Sequence, residues 1–143
     1  MERLNKMVQI LDTTLRDGSQ GEGVTFSSED KIKVARALDE FGVHYIEGGW
    51  PGSNPKDIAF FKKIKKFQLK NAKVTAFGST RRMKNKPDED ENLGAIVSTD
   101  APVATIFGKT WDLHVTDALR VPLKKNIEMI EDSIAFLLSR GLK

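Results

Sequence analysis

The chain has 143 residues, of which 39% are hydrophobic and 30% are charged, and its formal net charge is +3. This balance is typical of one globular domain and excludes a disordered chain. The absence of cysteine excludes disulfides, thiol chemistry and cysteine-ligated zinc. Because there are only two histidines, a metal site would need oxygen ligands or residues from outside the chain.

The sequence shows no pattern typical of a membrane-spanning helix or of an export signal. No apolar run approaches the roughly 20 residues that a membrane-spanning helix needs. Residues 1–6 do not have the apolar core of a signal peptide. We therefore expect a cytoplasmic protein.

Apolar spacing predicts strands and helices in alternation. Strands are expected at residues 8–11, 43–47, 73–77 and 103–107, the first of them buried. The first helix should begin with the capping box of Ser27 and Asp30 and end at Gly42. The second is centred on residues 58–67, and a short third covers 91–98.

A last helix is predicted over residues 121–140, with Pro122 in its first turn and Gly141 at its C-cap. Its apolar stripe is formed by Ile127, Ile130, Ile134, Leu137 and Leu138.

Four strand–helix units predict an α/β fold with a parallel sheet and right-handed crossovers. Four such units are half of an eight-stranded (β/α)8, or TIM, barrel, although they could also form a small open sheet. Since the chain ends where a fifth strand would follow, we expect residues 1–143 to be the N-terminal half of one catalytic barrel domain.

Charged and polar residues follow each predicted strand, and in a barrel these loops converge on one face. They are Arg16, Asp17 and Gln20 after the first strand, Glu47 at the second, Ser79, Thr80 and Arg81 after the third, and Lys109 and Thr110 after the fourth.

Three of these residues suggest chemistry. Arg16 could stabilise an oxyanion or enolate, and the hard carboxylate of Asp17 suits magnesium or manganese. Burying the charge of Glu47 at the end of a buried strand costs free energy, so we expect this carboxylate to be paired or used in catalysis. Arg16 and Asp17 could instead be a surface pair, and His114 is expected to face a neighbouring side chain rather than a metal.

Lysines and arginines between residues 56 and 86 could form a nucleic-acid patch. We favour a solvated helix face, because Phe60, Phe61 and Phe67 fall on the apolar stripe and not between the lysines. The glycines after the first strand do not have the spacing of a nucleotide-binding loop.

The run D-T-T-L-R-D-G-S-Q at residues 12–20 resembles the signature of the metal-dependent acyl-CoA Claisen-condensing synthases. That family includes 2-isopropylmalate, homocitrate and citramalate synthases, with HMG-CoA lyase as a relative. The runs at residues 47–54, 75–82 and 106–114 are most similar to the citramalate synthase branch.

This resemblance implies a TIM-barrel acyltransferase that condenses acetyl-CoA with an α-keto acid, pyruvate being favoured, in branched-chain amino-acid biosynthesis. Arg16 would polarise the keto group, Asp17 would bind the divalent metal (Mg, Mn or Zn), and Glu47 would be catalytic. The implied substrate-binding residues are Arg16, Gln20, Thr80, Lys109 and His114.

The His-x-His pair that completes the metal site of this family is absent. We therefore expect the isolated chain neither to bind metal tightly nor to turn over. The resemblance implies small-molecule substrates and a homodimer. A half barrel that only self-associates stays open as an alternative, since it would expose two sheet edges.

Overall fold

The computed structural model describes residues 8–143, which form one parallel four-stranded sheet with helices packed on it. The strands are β1 (Leu11–Asp12), β2 (Tyr45–Gly49), β3 (Lys73–Ser79) and β4 (Val103–Phe107), and they are neighbours in chain order. The helices are α1 (Ser28–Phe41), α2 (Pro55–Ile64), α3 (Glu91–Ser98) and α4 (Leu123–Ser139). The predicted α/β order of four strand–helix units is therefore confirmed.

Local signals set the helix ends. The Ser27 side chain accepts from the Asp30 N–H and the Asp30 carboxylate accepts from the Ser27 N–H, which completes the predicted capping box of α1. Gly42 ends α1 with a φ of 93°, in the left-handed region that favours glycine. Asn54 and Asp90 cap α2 and α3 through their side chains.

The hydrophobic core lies between the sheet and the helices. Along β3, Val74 and Ala76 are buried on the helix side, while Phe77 and Thr75 lie on the opposite face. The main core residues are Ile32, Ala35, Ile46, Phe60, Phe61, Leu93 and Ile96. A side chain at Gly48 would come within 2.5 Å of Phe60, so helix α2 packs directly on the β2 backbone.

The prediction of a buried first strand at residues 8–11 is wrong in extent and burial. Ladder pairing is confined to Leu11 and Asp12, and Val8, Ile10 and Leu11 are exposed. The reason is that β1 is an edge strand, which pairs only with β2 in the part of the chain that the structure describes. Helix α2 likewise ends at Ile64, short of the predicted Phe67, which is exposed.

The predicted stripe of α4 is mostly wrong. Leu137 is buried as expected, but Ile127, Ile134 and Leu138 are exposed. The face of α4 that meets the rest of the molecule carries Asn126, Met129 and Ser133, together with Leu137. Helical spacing fits both faces, and the polar contacts of Asn126 and Ser133 select the one that packs. Within residues 8–143, no helix is long and apolar enough to cross a membrane.

Candidate functional site

The loop after β1 turns sharply and directs Arg16 back towards the sheet. Asp12 accepts hydrogen bonds from the backbone and hydroxyl of Thr14, at 3.0 and 3.1 Å. The backbone N–H groups of Arg16 and Asp17 both donate to the Thr13 carbonyl. Leu15, which directly precedes Arg16, is fully buried and anchors the turn in the core.

Arg16 and Glu47 form an ion pair at the carboxyl ends of β1 and β2. The Arg16 Nε donates to Glu47 Oε2 at 2.6 Å, and Nη1 donates to Asp17 Oδ1 at 3.0 Å. The Glu47 side chain is 1% exposed and that of Arg16 is 20% exposed. The guanidinium carbon also lies 4.0 Å above the centre of the Phe77 ring, so three residues fix its plane.

This arrangement gives Arg16 a defined chemical capacity. A carboxylate as buried as Glu47 is stable only when it is paired, and Arg16 supplies both the charge and a strong hydrogen bond. Among residues 8–143, no hydrogen bond uses Arg16 Nη2, which leaves N–H groups free for a ligand oxygen. The group can therefore bind and stabilise an anionic oxygen at this edge of the sheet.

The other predicted substrate-binding residues follow the carboxyl ends of the strands, and within residues 8–143 no hydrogen bond or ion pair joins their side chains to that of Arg16. Gln20 is exposed in a short 3-10 helix, Gly18–Gln20. The Thr80 N–H donates to the Phe107 carbonyl at 3.2 Å, beyond the end of β3. Lys109 Nζ lies 5.1 Å from the centre of the Phe107 ring.

His114 is exposed, and its ring centre lies 4.6 Å from that of Trp111. It therefore faces a neighbouring side chain, as one interpretation of the sequence expected. It starts a π-helix, His114–Leu119, that precedes α4.

Arg81 does not belong to the site, although it follows β3 in the sequence. Its side chain is buried and is directed to α4, where Nε donates to Asp132 Oδ2 at 2.9 Å. It also donates to the carbonyls of Arg82, Met83 and Asn85. Arg81 thus locks the loop after β3 onto α4, a long-range contact that spacing in the sequence does not reveal.

The described residues do not fit a complete metal site. Asp17 is 63% exposed and one of its oxygens accepts from Arg16. Residues 8–143 contain no group of three or more histidine or carboxylate side chains arranged to hold an ion. Asp17 alone supplies too few ligands for the six-coordinate shell that magnesium prefers. Its role as a metal ligand stays a prediction.

Sequence reasoning missed Phe77 and the residues that support it. The edge of the Trp50 ring packs on Phe77, with ring centres 5.3 Å apart, and Trp50 Nε1 donates to Asn92 Oδ1 at 2.8 Å. The Asn92 amide in turn donates to the Ser79 carbonyl. Alternation along the predicted third strand could have placed Phe77 on the site face, but nothing local links it to Arg16.

The sequence matches the HMGL-like family over residues 7–143, which is nearly the whole chain. The chain belongs to the HMGL-like family. An (R)-citramalate synthase from Geobacter sulfurreducens is 60% identical over 131 residues. An (R)-citramalate synthase from Aquifex aeolicus is also 60% identical, over 130 residues. These matches cover 92% and 91% of this chain.

The chain spans about a quarter of the length of these curated relatives, 25% in both cases. More distant matches include a homocitrate synthase from Methanothermobacter thermautotrophicus, at 32% identity over 135 residues, 94% of this chain and 32% of the relative. The predicted membership of the citramalate, 2-isopropylmalate and homocitrate synthase group is confirmed.

The fold agrees with solved HMG-CoA lyases. The Bacillus subtilis enzyme superposes with a TM-score of 0.71 at 21% identity, covering 96% of this chain and 45% of that chain. At this identity the likeness shows the fold alone. The barrel interpretation is therefore confirmed over the open-sheet alternative, with this HMGL-like chain as the first four strand–helix units.

Proposed function

We propose that this chain is part of an acyltransferase that joins the acetyl group of acetyl-CoA to pyruvate and forms citramalate. The observation that carries the proposal is Arg16, which is held by Glu47 and Phe77 at the carboxyl edge of the sheet and whose Nη2 makes no hydrogen bond within residues 8–143. The relatives that are 60% identical are named (R)-citramalate synthases, which supports pyruvate as the keto acid.

In this reaction the chain stabilises negative charge on the keto oxygen. After a base removes a proton from the acetyl methyl group, its carbon bonds to the keto carbon, and the carbonyl electron pair moves onto the oxygen. Arg16 donates to that oxygen and offsets the growing charge. That oxygen then takes up a proton, and water hydrolyses the thioester of the product, which releases CoA and citramalate. Glu47 holds the guanidinium in place, so its geometry favours a positioning role over proton transfer.

The remaining predicted residues keep their places in the proposal. Gln20, Thr80, Lys109 and His114 would line the substrate pocket, and Asp17 would be one ligand of the divalent ion. No step above depends on that ion, since the described residues do not complete its site. We place the enzyme in isoleucine biosynthesis, in the cytoplasm, as a homodimer.

A second keto acid is the main alternative. A 2-isopropylmalate synthase from Sulfurisphaera tokodaii is 33% identical over 138 residues, so 2-oxoisovalerate competes with pyruvate as the substrate. The higher identity to the citramalate enzymes favours pyruvate.

The test is a chimera in which this chain replaces the matching segment of the Geobacter sulfurreducens relative. CoA release is measured with pyruvate, 2-oxoisovalerate and 2-oxoglutarate, and the intact relative serves as the reference. We expect activity with pyruvate above the other two acids. Activity highest with 2-oxoisovalerate, or none beside an active reference, contradicts the proposal.

Arg16→Lys in the chimera should lower kcat/KM by roughly 10²- to 10³-fold, because an ammonium group cannot keep the forked bonds to Glu47 and substrate. Arg36→Lys is the matched control, since Arg36 lies on α1 near Phe67, on the helix side of the sheet. Equal kcat/KM values for the two variants would contradict the role of Arg16.

A further inference from the structure

A second ion pair, Lys31 with Asp57, is buried on the helix side of β2. Lys31 on α1 and Asp57 on α2 are 4% and 5% exposed, and their charged groups are in direct contact. Each also bonds to the backbone at the end of β2. Lys31 Nζ donates to the Gly48 carbonyl at 3.1 Å, and Asp57 Oδ2 accepts from the Trp50 N–H at 2.8 Å.

These backbone contacts lie on a bulge in β2. Glu47 is paired with Thr75 and Gly49 with Ala76, so Gly48 is one extra residue on the β2 side. Gly49 has a φ of 149°, and a side chain there would come within 2.3 Å of the Asp57 carboxyl carbon. The carboxylate therefore packs directly against the bulge, which only glycine permits.

The residues on either side of the bulge are both connected to Arg16, one by a direct hydrogen bond and the other through the Phe77 ring. Glu47, just before it, bonds to the Arg16 Nε. Trp50, just after it, packs against Phe77, whose ring lies under the Arg16 guanidinium. A bulge reorients the side chains next to it, so its geometry bears on Glu47 directly and on Phe77 through the Trp50 ring.

Stability alone does not explain this pair. Burying two charges costs about as much as their attraction returns, and apolar residues of the same volume would pack at least as well. Apolar residues could not bond to the Gly48 carbonyl or the Trp50 N–H, however. What Lys31 and Asp57 supply is a fixed position for those two backbone groups.

We propose that Lys31 and Asp57 are positioning residues, which lock the β2 bulge so that Glu47 and Phe77 hold Arg16 in one orientation. The effect on catalysis rests on the proposed function, while the effect on the bulge does not. The test therefore has one arm without substrate and one with it.

The first arm uses the 143-residue chain with Trp111→Phe, which leaves Trp50 as the sole tryptophan. In that background we expect Lys31→Met and Asp57→Ala to shift Trp50 emission to longer wavelength and raise its quenching by acrylamide. Asp57→Asn should have a smaller effect, because its amide oxygen can still accept from the Trp50 N–H. Circular dichroism checks that each variant is folded.

Lys63→Met is the matched control. Lys63 also joins α2 to α1, through Glu29 and Ser28, but this ion pair is exposed, and within residues 8–143 its side chains make no hydrogen bond to β2. We expect unchanged Trp50 emission and quenching. Folded Lys31 or Asp57 variants that match this control would overturn the proposal.

The second arm places the same variants in the chimera and measures kcat and KM per folded active site. We expect kcat to fall roughly 10- to 100-fold in Lys31→Met and Asp57→Ala, with a smaller change in KM for pyruvate and partial rescue in Asp57→Asn. A purely structural pair would lower the unfolding temperature and leave kcat unchanged, which would overturn the proposal. An inactive unmodified chimera contradicts only the proposed function, and Trp50 then decides the positioning role.

Discussion

Replacing Asp39 by alanine should destabilise the chain by about 3 kcal/mol. Asp39 is buried near the end of α1, and its carboxylate accepts from the backbone N–H groups of Lys70, Asn71 and Ala72 at 2.7–2.8 Å. Ala72 is buried, so its unpaired N–H should cost about 2 kcal/mol. Lys70 and Asn71 are exposed, so water replaces most of their bonds and they add about 1 kcal/mol together.

The acid dependence of stability gives a second measure of the same contact. Burial by itself raises the pKa of Asp39, but the three N–H bonds and the Lys70 charge together hold it below its usual value. Because the folded-state pKa is the lower one, the stabilisation is complete above the unfolded pKa of about 4. It is lost as the pH falls through the folded-state pKa, and Asp39→Ala should abolish this part of the acid dependence.

Urea unfolding of the chain between pH 3 and pH 7, in steps of roughly one pH unit, measures both the loss of stability and its acid dependence. Glu40→Ala is the control, since Glu40 is adjacent and exposed, and it should change stability by less than about 0.5 kcal/mol. A loss of less than about 1 kcal/mol in Asp39→Ala at neutral pH, or an acid dependence equal to that of the unmodified chain, would contradict this role of Asp39.

Three further outcomes are expected. Glu47→Gln in the chimera should lower kcat roughly 10²-fold, because Arg16 loses its charged partner. The rate is measured as CoA release, and an unchanged kcat would contradict the role of this ion pair. Gly49→Ala should lower the free energy of unfolding, measured in urea, by at least about 2 kcal/mol, because its Cβ would collide with Asp57. Gly94→Ala is the control: Gly94 lies on α3 with open space around it, so the change should stabilise the chain by about 0.5–1 kcal/mol. Calorimetric titration of the isolated chain with manganese should show no sub-micromolar binding, and tight binding would refute the incomplete metal site around Asp17.

Local chemistry made both ends of α1 predictable. The capping box of Ser27 and Asp30 acts over four residues, and Gly42 ends α1 through its own backbone freedom. The position of Arg16 and Asp17 beyond a strand end could also be predicted, because a short apolar run precedes them. The extent of β1 was not, since its pairing depends on β2, whose matching residue Tyr45 lies far along the chain.

Long-range contacts decided the rest of the site. Arg81 and Arg16 both follow strands and look alike in sequence, yet one binds Asp132 on α4 and the other binds Glu47 on β2. Periodicity on α4 favoured Ile127 and Ile134, but the packed face is the one that carries Asn126 and Ser133. In both cases the partner is set by packing, not by spacing.

The sequence by itself determined the alternation of strands and helices, the family, and the segment at residues 12–20, because hydrophobic period, caps and a contiguous motif are all local properties. Only the tertiary structure decided that Phe77 lies under Arg16 and that Lys31 and Asp57 meet at the β2 bulge. Those contacts join residues far apart in the chain, and they exist only once parallel strands align and the helices pack against them.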